Sequence, residues 1–206
     1  MRRPPKTASA RLWGLDWGRY LPWQIDELTV ERGTFDEGVP FMAKRYAEIF
    51  GPADGRFLTE PMTEAKRRFC SEADVFLFRA SGETVGLVVA HPTDWSTYYM
   101  RSGALLAPYR ARGVFPRFYE HLYGPLRKAG VARIEGECSA SNQPIIRFHV
   151  REGFMVTGTS SSDRWGYLLR YTKFLDEKPE GVFLRQFCVY SPHNARSQPD
   201  NDRREP

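Results

Sequence analysis

The stretch LLAPYRARGVF, residues 105–115, decides the fold, because it joins the end of a strand to the start of a helix through a basic turn that contains glycine. The strand prediction covers Ser96 to Leu106, and Ala107-Pro108 ends it. The helix prediction covers Gly113 to Ala129, and Gly130 closes that helix as a C-terminal cap. It rests on apolar residues spaced by four, namely Val114, Phe118, Leu122 and Leu126.

The turn in this stretch suits an anionic ligand. It points unpaired backbone N–H groups and the positive end of a helix outward, which is what a pyrophosphate needs. Gly113 lets the backbone come close to such a ligand without a side chain in the way. Nearby arginines can add charge-assisted hydrogen bonds, although arginines in a loop are also typical of solvated surface charges. We therefore predict an anion-binding clamp made of Arg110, Arg112, Gly113, Val114 and Phe115.

A second motif, NQPIIRFHVREGF, spans residues 142–154. Asn142 can cap a helix, Pro144 falls in its first turn, and Gly153 ends it. A plain capped helix with a glycine stop also explains this pattern. It gives no reason, however, why the first motif should precede the second by one helix and one strand. The order of the two motifs is therefore more informative than either motif alone.

The remaining elements are predicted by working outward from these motifs. Before the clamp we expect a strand at 26–32, a helix capped by Asp36 that runs to Phe50, a helix from Thr63 to Cys70, and a hairpin of strands at 75–78 and 85–89. After it we expect strands at 131–138, 154–159 and 165–174, and an extra strand at 182–190. This order calls for a mixed sheet with helices packed on its faces.

Composition favours one folded domain. The 206 residues are 41% hydrophobic, and the net charge of +5 comes mostly from interleaved charges, which suits a small anionic cofactor better than nucleic acid. Three widely spaced cysteines, Cys70, Cys138 and Cys188, predict neither a disulfide framework nor a metal cluster and fit a reducing cytoplasm. No stretch has the continuous apolar core of a signal peptide or a membrane span, so we expect a soluble, cytoplasmic protein.

Together the two motifs resemble those of the GNAT superfamily of N-acetyltransferases. The family's acetyl-CoA loop follows its fourth strand and reads Gln/Arg-x-x-Gly-x-Gly/Ala; Arg110 and Gly113 match it, whereas Phe115 stands where Gly or Ala is usual. In the family's second signature an Asn caps a helix, a Tyr or His follows seven residues later, and Gly-Phe ends the helix. The residues at those offsets are Asn142, His149, Gly153 and Phe154. The match in element order covers about residues 26–175.

The resemblance implies an α/β (α+β) fold with a mixed, mostly antiparallel sheet of about seven strands flanked by helices. It implies acetyl-CoA as the acyl donor and a neutral primary amine, for which we expect a small molecule, as the group that attacks the thioester directly. The backbone at Leu105 and Leu106 would contact the acetyl group, and the clamp together with Asn142 would hold the rest of the cofactor. It also implies that the fourth and fifth strands splay apart to admit the cofactor arm.

Candidate catalytic residues follow from the same resemblance. His149 occupies the position of the family's proton donor, and the alternative is that it only packs beside the cofactor. Glu137 and Glu135 share one face of the fifth strand and are the candidates for the base, but a solvated, charged strand face explains them as well. Tyr98, Tyr99 and Arg101 of the fourth strand can line the acceptor site, where Arg101 would pair with a substrate carboxylate. Core packing and edge hydrogen bonding explain the two tyrosines equally well.

The predicted organisation has four parts. Residues 1–25 form an N-terminal extension, 26–175 the acetyltransferase domain, 176–190 an extra strand packed on it, and 191–206 a flexible tail. Alternatives are a longer acyl donor, a protein amine as acceptor, and a catalytically silent module that binds acyl-CoA. A nucleic-acid binder would instead show tight, salt-dependent binding; we expect neither a nucleic-acid nor a membrane partner, and the sequence leaves a homodimer open.

Overall fold

The computed structural model describes residues 7–50, 63–162 and 165–187. Eight strands form one sheet: β1 Trp23–Ile25, β2 Leu28–Gly33, β3 Asp74–Ala80, β4 Glu83–Pro92, β5 Thr97–Leu105, β6 Arg133–Ser139, β7 Met155–Ser162 and β8 Gly166–Phe174. The α-helices in these ranges are α1 Ala8–Leu12, α2 Phe35–Lys44, α3 Tyr46–Phe50, α4 Glu64–Ser71, α5 Val114–Lys128, α6 Gln143–Arg151 and α7 Glu177–Phe187.

The strands lie in the order β1-β2-β3-β4-β5-β6-β8-β7. Every neighbouring pair is antiparallel except β5 and β6, which run parallel. A parallel pair needs a long crossover, and here α5 provides it. The predicted mixed, mostly antiparallel sheet flanked by helices is therefore confirmed.

Several elements differ from the sequence prediction, among them α1, which was not predicted, and the predicted helix up to Phe50, which is divided into α2 and α3. The extra strand at 182–190 is wrong, because residues 177–187 form the helix α7, and residues 188–190 lie outside the described ranges. Phe183, Leu184 and Phe187 recur at helical spacing, and Glu177 is an acidic residue in the first turn, where the helix dipole favours it. Strand β1 was not predicted, and it extends the sheet by pairing with β2.

The start of α2 also differs from the prediction. Thr34, rather than Asp36, caps this helix: the Thr34 hydroxyl accepts from the backbone N–H of Glu37, and the Glu37 carboxylate accepts from the Thr34 N–H at 2.7 Å. This reciprocal capping box satisfies two otherwise unpaired donors. Asp36, which lies inside the first turn, offers no such pair.

Helices cover both faces of the sheet. On the α5 face, Phe76 and Phe78 of β3 pack in one buried cluster with Phe118 of α5, and all three side chains have no exposed surface. On the α2 face, alternate residues of β3 and β4 pack with α2; they are Val75, Leu77, Leu87 and Val89. We call these two sides of the sheet the α5 face and the α2 face.

The N-terminal segment contributes to the core. Trp17 is only 2% exposed, and its indole ring lies 5.1 Å from the ring of Phe76 and 5.9 Å from that of Trp23. Buried Asp74 accepts hydrogen bonds from the hydroxyls of Ser9 and Tyr98. Residues 7–25 thus pack on the sheet as part of the first compact unit, which runs to Leu175; the second unit begins at Asp176. The predicted tail, 191–206, lies outside the described residues.

Among the helices of the described ranges, none combines the length and the apolar character that crossing a bilayer requires.

Candidate active site

The parallel strands β5 and β6 part in the middle of the sheet. Their pairing begins at Thr97 with Arg133 and ends at Met100 with Gly136, although β5 continues to Leu105 and β6 to Ser139. The register of β5 against β4 also shifts here, since Val89 lies opposite Ser102 and Ala90 opposite Met100. Arg101 is therefore the extra residue of a β-bulge, and a bulge bends a strand away from its neighbour. The sequence prediction that these two strands splay apart agrees with this pairing.

The parted edge of β5 offers backbone donors. The Leu106 N–H donates to the carbonyl of Val85 in β4 at 2.9 Å. Because successive residues of a strand turn their N–H groups to opposite edges, those of Leu105 and Gly103 face the edge that β6 has left. Of the two residues predicted to contact an acetyl group, Leu105 thus has an N–H directed toward the gap, whereas that of Leu106 is already used.

The start of α5 lies next along the chain. Gly113 caps this helix in the left-handed conformation, with φ at 71°, and makes no side-chain hydrogen bond as a cap. A residue with a side chain adopts this φ only at a cost, which explains why the position is glycine. Since the first N–H groups of a helix have no partner within it, the clamp residues Val114 and Phe115 present their backbone donors at this point.

Arg110 ties the turn to neighbouring backbone. Its Nε donates to the carbonyl of Leu105 at 2.7 Å, and its Nη2 donates to the carbonyl of Glu48 in α3 at 3.1 Å. The side chain of Glu48 also accepts from the Ala107 N–H at 3.2 Å. The guanidinium of Arg110 therefore supports the end of β5, which is a different use from the direct ligand contact that the sequence suggested.

Two arginines at the start of α5 are held by the turn between β1 and β2. Arg112 forms two hydrogen bonds with the carboxylate of Glu27, the shorter at 2.6 Å. Arg117 does the same with Asp26, at 2.6 and 2.7 Å, and the pKa of Asp26 is lowered by this guanidinium. Arg117 also donates to the carbonyls of Arg112 and Gly113, so it fixes the turn that precedes the helix.

Sequence reasoning missed Arg117, Asp26 and Glu27. Asp26-Glu27 stands between two runs of strand-forming residues, which marks a turn. Nothing local to that turn, however, shows that Asp26 meets an arginine 91 residues further along the chain.

Phe115 turns inward from the clamp. Its ring lies 6.2 Å from that of Phe78 and 6.3 Å from that of Phe148. It also covers Gly103 of β5, where an added β-carbon would lie 3.4 Å from the tip of the ring. The bulky residue at this position therefore packs on the sheet and leaves its backbone N–H at the helix start. Because Gly103 has no side chain, the sheet has room for the Phe115 ring at a position where the family usually has Gly or Ala.

The second motif forms α6 as predicted. The side chain of Asn142 accepts from the Ile145 N–H at 3.4 Å and caps the helix. Gly153 follows the helix end with a positive φ of 76°. Asn142 thus has a clear structural task at the mouth of the gap, and its predicted contact with a cofactor stays a prediction.

His149 lies inside the protein. It is 6% exposed, and its ring stacks on that of Tyr171 with centroids 4.5 Å apart. Its Nδ1 is buried without a hydrogen-bond partner in the described part of the chain. Burial lowers the pKa of His149 to about 4, so the imidazole is neutral at pH 7. These surroundings favour the packing role that the sequence left open, and the proton-donor role of His149 stays a prediction.

Glu137 is the first residue of β6 beyond the last paired rung. Its carboxylate accepts from the Tyr99 hydroxyl at 3.4 Å, from the Ser160 hydroxyl at 3.1 Å, and from Arg170 at 3.1 Å. Burial and the charge of Glu137 raise the pKa of Tyr99, which keeps that phenol protonated. Glu135, the other candidate, is paired with Arg133 at 3.1 Å and lies back along the closed part of the strands.

The residues predicted to line the acceptor site separate onto two faces. Tyr98 is fully buried on the α5 face, where its hydroxyl donates to Asp74, so it cannot touch an acceptor. Tyr99 and Arg101 belong to the α2 face instead. His91 lies 5.6 Å from the ring of Tyr99, and Phe69 of α4 lies 5.8 Å from His91. These side chains surround the parted strands on the side away from α5.

Comparisons with known proteins agree with this geometry. The family model described as "Acetyltransferase (GNAT) family" matches residues 40–154. A GNAT family acetyltransferase from Elizabethkingia anophelis, solved with acetyl-CoA bound, superposes with a TM-score of 0.54 at 13% identity, covering 73% of this chain and 99% of the other. A ribosomal-protein-S5-alanine acetyltransferase from Vibrio fischeri gives a TM-score of 0.59 at 13% identity, covering 76% and 98%. No curated protein sequence matches at a significant level.

Proposed function

Because the chain belongs to the acetyltransferase (GNAT) family, we propose that it transfers an acetyl group from acetyl-CoA to the primary amine of a small molecule. The observation that carries the proposal is the gap between β5 and β6, which opens beside the helix start at Gly113. A pyrophosphate needs clustered N–H donors, and an amide-containing arm can pair with an unpaired strand edge. The similarity to a structure solved with acetyl-CoA supports the choice of donor.

In this proposal the backbone N–H groups of Gly113, Val114 and Phe115 bind the pyrophosphate. Arg112 borders the same turn but is paired with Glu27, and Arg110 holds the turn to the end of β5. The N–H of Leu105 faces the gap, so we assign it to the thioester carbonyl, where it would stabilise the negative charge that develops on oxygen. The predicted site at Leu105 is kept, and Leu106 is reduced to a supporting role.

The proposed reaction forms a bond between the amine nitrogen and the thioester carbonyl carbon and breaks the carbon–sulfur bond. The proton that leaves the nitrogen balances the one that the thiolate gains, so no further reactant is needed. Burial lowers the pKa of His149 to about 4, so we do not assign this residue as the source of that proton. We assign it the packing role at the base of the gap, where it stacks on Tyr171.

Glu137 remains the residue that we assign to the amine. Glu137 lies where β6 separates from β5. Among the described residues, its Oε2 accepts only the long hydrogen bond from the Tyr99 hydroxyl. An ammonium or amine could donate a hydrogen bond to this oxygen, which would orient the nitrogen toward the gap.

The free thiols of Cys70 and Cys138 support the predicted reducing, cytoplasmic environment.

The direct test is release of free thiol from acetyl-CoA across a panel of small amines, peptides and longer acyl-CoA donors. We expect release that depends on a small amine and is fastest with acetyl-CoA. Turnover with peptides alone would support a protein acceptor, and faster turnover with a longer acyl chain would support a different donor. Binding of acetyl-CoA without release in any mixture would support a silent binding module and contradict the proposal.

Glu137→Gln should lower kcat/KM for the amine by about tenfold, because the charge that orients the nitrogen is lost while the shape is kept. Initial rates of thiol release at saturating acetyl-CoA measure the effect. Glu135→Gln is the matched control, since it removes a carboxylate from the same face of the same strand where β5 and β6 are still paired. Equal losses of kcat/KM in the two variants would show that Glu137 does not orient the amine.

Asp26→Asn should raise KM for acetyl-CoA by about threefold with kcat unchanged, because Arg117 then holds the turn at Gly113 less firmly; exposed ion pairs have effects of this size. Acetyl-pantetheine, which lacks the pyrophosphate, should react equally well with both proteins. Asp16→Asn is the control, because Asp16 pairs with Arg32 away from the clamp. An equal rise in KM for both donors would show that the hairpin turn does not act through phosphate binding.

A further inference from the structure

We propose that the acceptor amine carries a carboxylate and that Arg101 binds it. This inference rests on the proposed function and specifies its substrate class. Its starting point is the position of Arg101, which is the first residue of β5 beyond the last paired rung and forms the β-bulge. Glu137 is the corresponding first residue of β6. The two strands therefore present one cation and one anion on opposite sides of the opening.

Contacts on the α2 face connect the two charges. The guanidinium of Arg101 lies 5.5 Å from the ring centroid of Phe69. Phe69 contacts His91, His91 contacts Tyr99, and Tyr99 donates to Glu137. This chain of contacts runs along the α2 face from Arg101 to Glu137. An acceptor with an ammonium near Glu137 and a carboxylate near Arg101 would complement both ends of it.

Among the described residues, Arg101 differs from the arginines around it in having no carboxylate partner. Arg112, Arg117, Arg133 and Arg170 each lie within an ion pair. Within the described part of the chain, no carboxylate lies within ion-pair distance of Arg101, although its side chain is exposed. Its packing on Phe69 orients the planar guanidinium, and a planar fork of donors matches a carboxylate.

A cavity adjoins this arginine. Its volume is about 90 Å³, and its lining includes Phe35, Phe69, Cys70, His91 and Arg101. A water molecule occupies about 30 Å³ in the liquid, so a space of this size holds a group of a few heavy atoms, such as a carboxylate with its neighbouring carbon. Arg101 is the cation at the wall of this cavity, whose other described charge, Glu72, is paired with Arg11 at 2.8 Å.

The balance of charge along the opening favours an acidic acceptor. Arg170 pairs with the carboxylate of Glu137 at 3.1 Å, and burial together with the charge of Arg101 lowers the pKa of His91. His91 is therefore neutral at pH 7 and adds no charge. Arg170 occupies Oε1 of Glu137, which leaves Oε2 with the long hydrogen bond from Tyr99. The positive charge of Arg101 remains for the carboxylate of the ligand.

The test compares acceptors that differ only in this charge. The common L-amino acids and their C-terminal amides are assayed for thiol release with acetyl-CoA, and kcat/KM of each acid is divided by that of its amide. For the acid that reacts best we expect a ratio of at least about tenfold in the unchanged protein, in line with a charge-assisted hydrogen bond. Arg101→Gln should bring the ratio close to one, and Arg101→Lys should restore part of it.

Arg19→Gln is the control, because it removes one exposed positive charge far from the opening; it should leave the ratio unchanged. A ratio near one in the unchanged protein, or a ratio that Arg101→Gln does not alter, overturns the assignment. A marked preference for amino phosphates over amino acids also overturns it in favour of a phosphate-bearing acceptor.

If no acceptor releases thiol while acetyl-CoA still binds, the proposed enzyme activity fails, and the acceptor site is then judged by calorimetry. The same acids and amides are titrated into the complex with CoA. Tighter binding of acids that depends on Arg101 supports the carboxylate site, and equal binding of acids and amides contradicts it.

Discussion

Gly113→Trp is expected to abolish binding of acetyl-CoA, lowering the affinity by at least about 100-fold. Gly113 has a φ of 71°, a conformation that costs a residue with a side chain roughly 1–2 kcal/mol. Its surroundings are open, since an added β-carbon would have only Arg117 Nη2 within 4 Å, at 3.9 Å. The indole would therefore fit, but in the space where the pyrophosphate is proposed to bind. Calorimetric titration with acetyl-CoA measures the loss.

Gly82→Trp is the matched control for this variant. Gly82 lies in the turn between β3 and β4 with a φ of 83°, and an added β-carbon there has no neighbour within 4 Å. The two variants carry the same side chain and a similar backbone cost, so a difference in affinity isolates the clamp. Unchanged affinity in Gly113→Trp would show that the start of α5 does not hold the cofactor.

The second large effect concerns pH and the stability of the fold. Burial lowers the pKa of His149 to about 4, whereas an unfolded histidine has a pKa near 6.5. Between these two pKa values the histidine is protonated in the unfolded chain but not in the folded chain, so the free energy of unfolding falls as pH falls. The difference of the two pKa values corresponds to a loss of about 3 kcal/mol by pH 4. Above pH 6.5 this contribution is constant.

Urea unfolding at pH 7.5 and pH 4.5, compared between the unchanged protein and His149→Phe, measures this effect. The phenyl ring keeps an aromatic partner for Tyr171 but cannot take up a proton. Burial raises the pKa of Asp74, which acts in the opposite direction, but Asp74 is present in both proteins and its contribution cancels in the comparison. We expect the unchanged protein to lose more stability in acid. Parallel losses would show that His149 accepts a proton in the folded state.

The sequence was sufficient for those parts of the fold that have a local signal. Apolar residues spaced by four mark α5, and Asn142 with Gly153 brackets α6, because caps and stops act over a few residues. The segment that contains Trp13, Trp17 and Trp23 has no strand or helix period, so β1 and its packing on Phe76 could not be predicted. Residues 182–187 were assigned the wrong period because apolar runs this short fit either type of element.

The candidate site divides in the same way. Gly113 at the helix start follows from the motif and its place after a strand, whereas the parting of the strands was implied only by the family resemblance. The partners of Arg110 and Arg112 could not be predicted, because they depend on α3 and on the turn before β2. The burial of His149 could not be predicted for a related reason, since it depends on the packing of β8 and α6 and leaves no mark at the histidine itself.

The packing of Phe115 on Gly103 connects the start of α5 directly to the edge of β5. A shift of the first turn of α5 away from the sheet would separate this ring from β5. A shift of β5 toward the helix would press on the same ring. For the proposed donor, we therefore expect a change at the helix start to alter the position of the thioester on β5 as well as the affinity for the phosphates.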